Sequence, residues 1–239
     1  KTPADLNNLL VLFMQITEAP ARQAGNALLV HDTLDQVKEA RKAWLYNSGQ
    51  RRVRRAPNVA YDNPGTGADG LRTNDQLDFF NGATDRYTWK LVGKTEKYIP
   101  VNSFELHSDK HKYNDIINAN HIKQDLTRYE LRRVWEVDST LKDGTSHIYK
   151  RRTFFVDEDT WSMALADIYD NRDELWRHQE AHFAMAYDLP AVLPVAGIVY
   201  DLLANRYLVM DMNNEETEVS VAEFSDDYFT TANLKKVAR

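Results

Sequence analysis

Apolar and polar residues alternate along most of this chain with the period of two that is typical of β-strands. The alternation is clearest between residues 128 and 187, where runs rich in aromatic and β-branched residues are separated by turn formers such as Lys142-Asp143-Gly144. Runs of this kind, joined by short turns, predict an antiparallel meander. We predict strands at residues 6–17, 26–33, 43–46, 50–55, 85–94, 128–138, 147–156, 161–169, 175–187, 198–203 and 206–212, with an extended segment at 96–106.

Helices are predicted to be few and short. Residues 75–80 and 113–119 are each long enough for a turn or two, and Ser225 and Thr231 are expected to cap short helices near residue 230. The segment 189–197 is apolar but contains two prolines and a glycine, so we predict that it forms a cover over the sheet or a packed loop.

A hairpin is sharply specified by Asn47-Ser48-Gly49, which supplies turn residues and a glycine that tolerates positive φ. The second strand of this hairpin carries four arginines, Arg51, Arg52, Arg54 and Arg55. Alternation places Arg51 and Arg55 on one face and Arg52 and Arg54 on the other. We predict that these arginines contact a partner; the alternative is that they neutralise nearby carboxylates and cover apolar surface with their stems.

The run Gly65-Thr66-Gly67-Ala68-Asp69-Gly70 matches the G-x-G-x-x-G pattern of dinucleotide-binding proteins. That site needs a buried strand before the pattern and a long helix after it, and neither is predicted here. We therefore interpret the run as a loop and predict no cofactor. A catalytic pair among the nearby acidic residues is an alternative, but a solvated loop with Thr73 or Asn74 capping a short helix explains them more simply. These acidic residues are Asp62, Asp69, Asp75 and Asp78.

Composition narrows the classes of protein that fit. The 239 residues, 43% of them hydrophobic, suffice for one large β domain or two smaller ones. The net charge is −6, and the chain lacks the broad basic surface of a nucleic-acid-binding protein. No apolar run is long enough to be a transmembrane segment. The absence of cysteine excludes disulfides and thiolate metal sites. Because the chain begins at Lys1 without a methionine or a signal sequence, we expect a processed or truncated product.

Large aromatic residues fall on the predicted strands, among them Trp161 near a strand end. A sheet that does not close would leave many of them on an apolar concave face that needs a lid or a ligand. The candidate ligand-lining residues are Trp44, Tyr87, Trp89, Trp135, Phe154 and Trp176. The alternative is that they fill an ordinary core.

One stretch carries residues of metal-binding type. On the predicted strand 175–187, His178, Glu180 and His182 would face the same side, and two imidazoles with a carboxylate can hold a metal ion. The zinc-protease pattern is absent, because glutamate does not directly follow His178, and no serine lies in a nucleophile elbow. We predict no metal site and no catalytic residue.

Three motifs carry a family resemblance, and they are WLYNSGQRRVRRAPNVAYDNPGTGADGLRTNDQLDFFNGATDRYTWKLVGKTEKYIP, YKRRTFFVDEDTW and DIYDNRDELWR. Over nearly its whole length the chain resembles a family of Gram-negative proteins of unknown function, described as outer-membrane lipoprotein-sorting-like and related to the LolA/LolB group. The resemblance implies an exported periplasmic protein with a single domain over residues 1–239. It also implies a mainly β fold, in which a curved antiparallel meander forms a partial, open β-barrel with a few short helices as a lid and a cavity for apolar ligands.

Three functions fit these observations. The first is a non-enzymatic periplasmic carrier or chaperone for a lipid, a lipidated protein or another hydrophobic molecule. The second is an interaction module of an envelope export system, which would use the four arginines. The third is a metal-dependent hydrolase built on His178, Glu180 and His182.

Overall fold

The computed structural model describes residues 3–56, 59, 61–216 and 222–238. Within these residues the fold is mainly antiparallel β, as predicted, with few helices. The strands are β1 (Leu9–Ile16), β2 (Ala27–Thr33), β3 (Lys42–Asn47), β4 (Arg52–Ala56), β5 (Tyr87–Pro100), β6 (Tyr129–Leu141), β7 (Arg151–Asp157), β8 (Met163–Tyr169), β9 (Leu175–Ala186), β10 (Ala191–Asp201) and β11 (Arg206–Met210). The α-helices are α1 (Tyr113–Ile116) and α2 (Thr231–Val237), and short 3-10 helices lie at Pro3–Leu6, Asn74–Gln76, Gln124–Leu126 and Asp226–Phe229.

The chain divides into two compact units, which are described separately. The four-stranded unit comprises Lys1–Asn63, Gly82–Thr84 and Val219–Arg239, and the seven-stranded unit comprises Pro64–Asn81 and Asp85–Glu218. The prediction of a single domain over residues 1–239 stays a prediction. Among the described residues, no helix combines the length and the apolar character needed to cross a membrane.

The four-stranded unit contains a sheet in the order β1-β2-β3-β4. Leu29 and Tyr46 lie on one face of this sheet and pack against Leu234 of α2 in a small apolar core. The N-cap lies one residue before the predicted Thr231, because the Thr230 hydroxyl accepts a hydrogen bond from the backbone N–H of Asn233.

The β3–β4 hairpin is present, but its turn differs from the prediction. Asn47 Oδ1 accepts a hydrogen bond from the backbone N–H of Gln50, and the left-handed conformation falls on Arg51, at φ 53°, and not on Gly49. Arg51 is therefore a turn residue and does not share a strand face with Arg55. Cross-strand pairing places Arg54 opposite Leu45, on the face away from α2.

The seven-stranded unit contains an antiparallel meander in the order β11-β10-β9-β8-β7-β6-β5. Most of the predicted strand 85–94 and the first half of the predicted segment 96–106 form one long strand, β5, which ends at Pro100. Its register shifts between Leu91 and Gly93. The prediction that residues 189–197 form a cover or a packed loop is wrong, since most of this segment forms the first half of β10. A register shift between Pro194 and Ala196 accommodates the proline, which cannot donate to a neighbouring strand.

The two faces of this sheet are covered by different segments. The inner face bears Phe155 and Glu180, and β5 curls toward β8 and β9 on this side, so that Lys97 Nζ lies 3.8 Å from the centre of the Phe155 ring. Side chains from residues 101–127 cover the part of the inner face near Ile198. The outer face bears Phe154 and is covered by the loop Pro64–Asn81. The sheet has two free ends, β5 and β11, and is open as predicted.

Candidate functional site

Buried Arg177 of β9 attaches the glycine-containing loop to the outer face. Its guanidinium donates hydrogen bonds to the carbonyl of Gly70 at 2.8 Å and to the carbonyl of Leu71 at 2.9 Å, and its Nε donates to Asp201 at 3.2 Å. Arg177 thus binds the carbonyl of Gly70, the last residue of the G-x-G-x-x-G run. This contact agrees with the interpretation of the run as a loop.

Asp75 attaches the same loop to the sheet through charge. It accepts hydrogen bonds from Arg152 of β7 at 3.0 Å, from His147 at 3.1 Å and from the Thr73 hydroxyl at 2.6 Å. His147 Nδ1 accepts from the backbone N–H of Tyr149, so Nε2 carries the hydrogen that is donated to Asp75. The prediction of a solvated loop is wrong at this residue, which is 2% exposed.

The electrostatic environment keeps Asp75 ionised. Burial acts to raise the pKa of this carboxyl, but the adjacent Arg152 guanidinium and the hydrogen bond from His147 outweigh it and lower the pKa to about 2. Arg152 in turn is fully buried and lies among aromatic rings, with its guanidinium 4.8 Å from the Phe80 ring and 4.5 Å from the Tyr87 ring. A charged pair enclosed in this way makes the position of the loop specific.

The anchored loop and the outer face line an apolar cavity of about 290 Å³ that is partly open to solvent. We call it the outer-face cavity. Phe79 of the loop and Met163, Ala181 and Met210 of the sheet contribute apolar walls. The remaining lining residues are Leu77, Asp78, Ser162, Gln179, Phe183, Val192, Pro194, Gly197 and Asp211. This arrangement can hold a small apolar molecule.

Three residues that line the outer-face cavity have left-handed backbone conformations. They are Asp78 at φ 48°, Phe79 at φ 72° and Asp211 at φ 64°. Such conformations are costly for residues other than glycine and are concentrated at functional sites. The strained residues place the Phe79 ring and two carboxylates at the cavity.

The carboxylate of Asp211 gives the cavity a polar end. Oδ2 lies 3.2 Å from the position that a Cβ on Gly197 would occupy, so the glycine makes room for it. Burial of the carboxyl group and the neighbouring Asp78 raise the pKa of Asp211, while Arg72 opposes the change. The polar end can therefore accept, and when protonated also donate, a hydrogen bond.

The open part of the inner face forms a larger groove of about 620 Å³, which we call the inner-face groove. Its walls carry both signs of charge, including Lys97, Arg151 and Asp138. Asp167 also lies there and accepts a hydrogen bond from His178 at 2.7 Å; burial acts to raise the pKa of Asp167, but His178 lowers it. The sequence predicts an apolar concave face, whereas the open part of this face is polar.

The three residues considered for metal binding do not converge on one point. His178 pairs with Asp167, whereas Glu180 accepts hydrogen bonds from Tyr129 at 2.8 Å and from Tyr200 at 3.1 Å. Within the described ranges, no three histidine, aspartate or glutamate side chains are grouped so that they could hold a metal ion.

Sequence reasoning missed one buried polar set. Ser103 Oγ lies 3.4 Å from His182 Nδ1, and His182 Nε2 lies 3.3 Å from Glu180 Oε1. These three side chains resemble a serine–histidine–acid set, but Ser103 is 1% exposed and His182 is fully buried. No sequence signal connects them, because Ser103 precedes His182 by 79 positions. The set ties the segment that covers the inner face to β9.

The six predicted ligand-lining aromatics lie in three environments. Trp44 belongs to the four-stranded unit and contacts His31, with ring centres 4.9 Å apart. Trp135 lies under Lys94, whose Nζ is 4.6 Å from the centre of the Trp135 ring. The other four pack in or against the core of the seven-stranded unit, and they are Tyr87, Trp89, Phe154 and Trp176. Within the described part of the chain, none of the six lines the outer-face cavity or the inner-face groove, and their predicted role stays a prediction.

The four arginines of the hairpin are all exposed. No ion pair links any of Arg51, Arg52, Arg54 and Arg55 to another residue in the ranges that the structure describes. The alternative in which they neutralise nearby carboxylates is not observed there. Their predicted contact with a partner stays a prediction.

A comparison with curated proteins finds a relative that is similar in sequence. The chain is 55% identical over 236 residues to an uncharacterized protein of Pseudomonas aeruginosa, which covers 98% of this chain and 52% of that protein. The chain thus spans about half the length of this curated relative.

Two solved structures share the architecture. A DUF1329 family protein from Desulfovibrio piger superposes with a TM-score of 0.60 at 18% identity, covering 92% of this chain and 75% of that one. An outer membrane lipoprotein-sorting protein domain from Vibrio parahaemolyticus superposes with a TM-score of 0.58 at 12% identity, covering 94% and 77%. At these identities the likeness concerns the fold alone.

The family itself is identified by sequence. Residues 1–235 match the family described as "Protein of unknown function (DUF1329)". This match extends over all three motifs from which the family was predicted. The chain belongs to the DUF1329 family.

Proposed function

We propose that this chain is a non-enzymatic periplasmic carrier that binds a small apolar molecule in the outer-face cavity. The observation that carries the proposal is the apolar lining of this cavity, to which Phe79, Met163 and Met210 contribute. Ligand sites are typically concave and mostly apolar, with a few polar groups that orient the ligand. Asp78 and Asp211 are the acidic groups available for that purpose here.

The size of the cavity limits the ligand. A volume of about 290 Å³ equals about ten water volumes of about 30 Å³ each, so the ligand part that it encloses has about ten non-hydrogen atoms. Met163 and Met210 are flexible and can adapt the walls to ligands of somewhat different shape. A lipid or the acyl chain of a lipidated protein would place one segment of its chain in the cavity.

The inner-face groove is larger but less suited to an apolar guest. Lys97, Asp138 and Arg151 would lose water when an apolar molecule covered them, and burying charged groups without new partners is costly. The sequence predicts that the ligand lies on the concave face. Because the open part of that face is charged, we place the proposed site in the outer-face cavity instead.

One comparison supports a carrier function without extending to the whole protein. The solved structure from Vibrio parahaemolyticus is described as an outer membrane lipoprotein-sorting protein domain. From that description we infer an apolar cargo and a periplasmic location for this chain. Since the chain spans about half of its curated relative, the cargo and location of the longer protein are part of the proposal.

A chain-length series tests the proposal. Purified protein is loaded with a fluorescent fatty acid, which is then displaced by linear alcohols of increasing length. We expect affinity to rise with each added methylene and to level off near ten non-hydrogen atoms, because further atoms leave the apolar walls. The proposal fails if no apolar probe binds and native mass spectrometry finds no apolar molecule with the purified chain.

A further inference from the structure

The described residues cover one face of the four-stranded sheet only in part. Ala43 on this face is 2% exposed, whereas other apolar side chains of the same face reach solvent. Cross-strand pairs place Phe13, Val30 and Ala43 side by side on this face, and Gln15, Leu28, Leu45 and Arg54 form the neighbouring row. Val11, Phe13 and Leu45 are 48%, 45% and 38% exposed. We call this surface the open face.

The exposed charges on the open face have one sign. Arg54 lies opposite Leu45, and Arg52 lies opposite Asn47 in the next row. Asp32 also points to this face, but it is 5% exposed and accepts hydrogen bonds from the Arg41 guanidinium at 2.9 and 3.1 Å. Among the described residues of the sheet, no exposed acidic side chain lies on the open face.

We propose that the open face docks on an anionic phospholipid surface. Exposed Val11, Phe13 and Leu45 would enter the boundary between headgroups and acyl chains, while Arg52 and Arg54 would bind phosphate groups. Exposed apolar surface next to unpaired positive charge complements a layer of negative headgroups above an apolar interior.

The shape of the open face favours a membrane over a folded protein partner. Strand side chains project from a sheet face in regular rows, and neither the outer-face cavity nor the inner-face groove belongs to this unit. A folded partner generally needs a complementary surface with pockets for its anchor residues. Docking of the open face does not depend on the ligand proposed for the outer-face cavity.

Vesicle sedimentation with the full chain tests this inference. We expect binding to vesicles of equal parts phosphatidylcholine and phosphatidylglycerol, weaker binding at high salt, and little binding to pure phosphatidylcholine. One arginine near an anionic surface is worth about a fivefold change in affinity, so Arg52→Glu with Arg54→Glu is expected to weaken binding at least about 25-fold. Phe13→Ser is expected to weaken it several-fold without changing its salt dependence.

Arg55→Glu is the matched control for Arg54→Glu. It makes the same change of charge one residue away, but Arg55 lies opposite Trp44, on the other face of the sheet. Circular dichroism checks that all variants are folded. Membrane docking is overturned if pure phosphatidylcholine is bound equally well, if Arg55→Glu weakens binding as much as Arg54→Glu, or if the open face instead mediates a dimer or binds an export-system protein and no vesicle.

Discussion

The two sheets of this protein differ in how much of their surface the chain itself covers. The seven-stranded sheet has the loop Pro64–Asn81 on its outer face and residues 101–127 over part of its inner face. The four-stranded sheet is packed on one face by α2, and the described residues cover its other face only in part, so that Phe13 and Leu45 there are exposed. A covered sheet can enclose a guest molecule, whereas an open sheet face can only meet a surface.

The covers are also held by different forces. The loop on the seven-stranded sheet is attached by buried charges. Asp75 of the loop pairs with Arg152, and Arg177 binds the loop's backbone at Leu71. The helix on the four-stranded sheet is attached by apolar contacts of Leu29, Tyr46 and Leu234. Substitutions that remove one kind of attachment test whether this contrast is real.

The largest effect is expected at the buried ion pair. Asp75→Asn leaves the Arg152 charge without a counter-charge in a site closed to water, and we expect the free energy of unfolding to fall by about 3–5 kcal/mol. Denaturant unfolding measures the change. The control is Asp69→Asn in the same loop, where the exposed pair with Arg206 is expected to contribute less than about 1 kcal/mol. Equal effects of the two substitutions would contradict the anchoring role of Asp75.

A matched pair of leucines compares the two faces of the four-stranded sheet. Leu29→Ala removes a fully buried side chain and is expected to lower the free energy of unfolding by about 3 kcal/mol. Leu45→Ala, on the open face, where the side chain is 38% exposed, is expected to lower it by about 1 kcal/mol or less. A large loss at Leu45 would show that the open face is packed in solution.

The pKa of Asp75 predicts a smaller, pH-dependent effect. Folding lowers this pKa from 3.8 to about 2. The stabilisation of the folded state by the ionised Asp75 carboxylate is therefore complete above pH 3.8 and is lost as the pH falls through about 2. The difference in unfolding free energy between the natural chain and Asp75→Asn is expected to shrink by about 2 kcal/mol between pH 5 and pH 2. The pH dependence that comes from the other carboxylates is the same in both proteins and cancels in this difference. A difference that stays constant with pH would contradict an ionised Asp75 paired with Arg152.

A small effect is also expected at Ser103. Its contact with His182 is long, at 3.4 Å, so Ser103→Ala is expected to cost about 1 kcal/mol or less. Since Ser103 is enclosed, we also expect the displacement of a fluorescent fatty acid to be unchanged. Loss of an esterase activity in this variant would instead assign a catalytic role to the serine.

Local patterns were sufficient to predict most strands. The alternation in β6 to β9 reflects contacts between neighbours in sequence and across short turns, and these strands are observed close to their predicted positions. The start of β10 was missed because prolines argue against a strand, and only the register shift after Pro194 shows how one is tolerated.

The candidate site could not be read from local patterns. Its walls come from residues 77–79 and from four different strands, so no single stretch carries a signal for the cavity. The sequence pattern predicts a loop at Asp75, and the burial of Asp75 depends on Arg152, 77 positions later. Large aromatics such as Phe154 were expected to line a ligand site, but large apolar side chains also fill cores, and Phe154 is almost completely buried.

Binding of an apolar probe to two alanine variants of β9 tests the central claim most directly. Ala181 lines the outer-face cavity and Ala184 lines a separate cavity near Arg132, and both are buried. Leucine at either position adds the same volume at a similar cost in stability. We expect Ala181→Leu to weaken binding of the fluorescent fatty acid at least about tenfold and Ala184→Leu to leave it unchanged. Unchanged binding by Ala181→Leu, or an equal loss in both variants, would contradict a guest in the outer-face cavity.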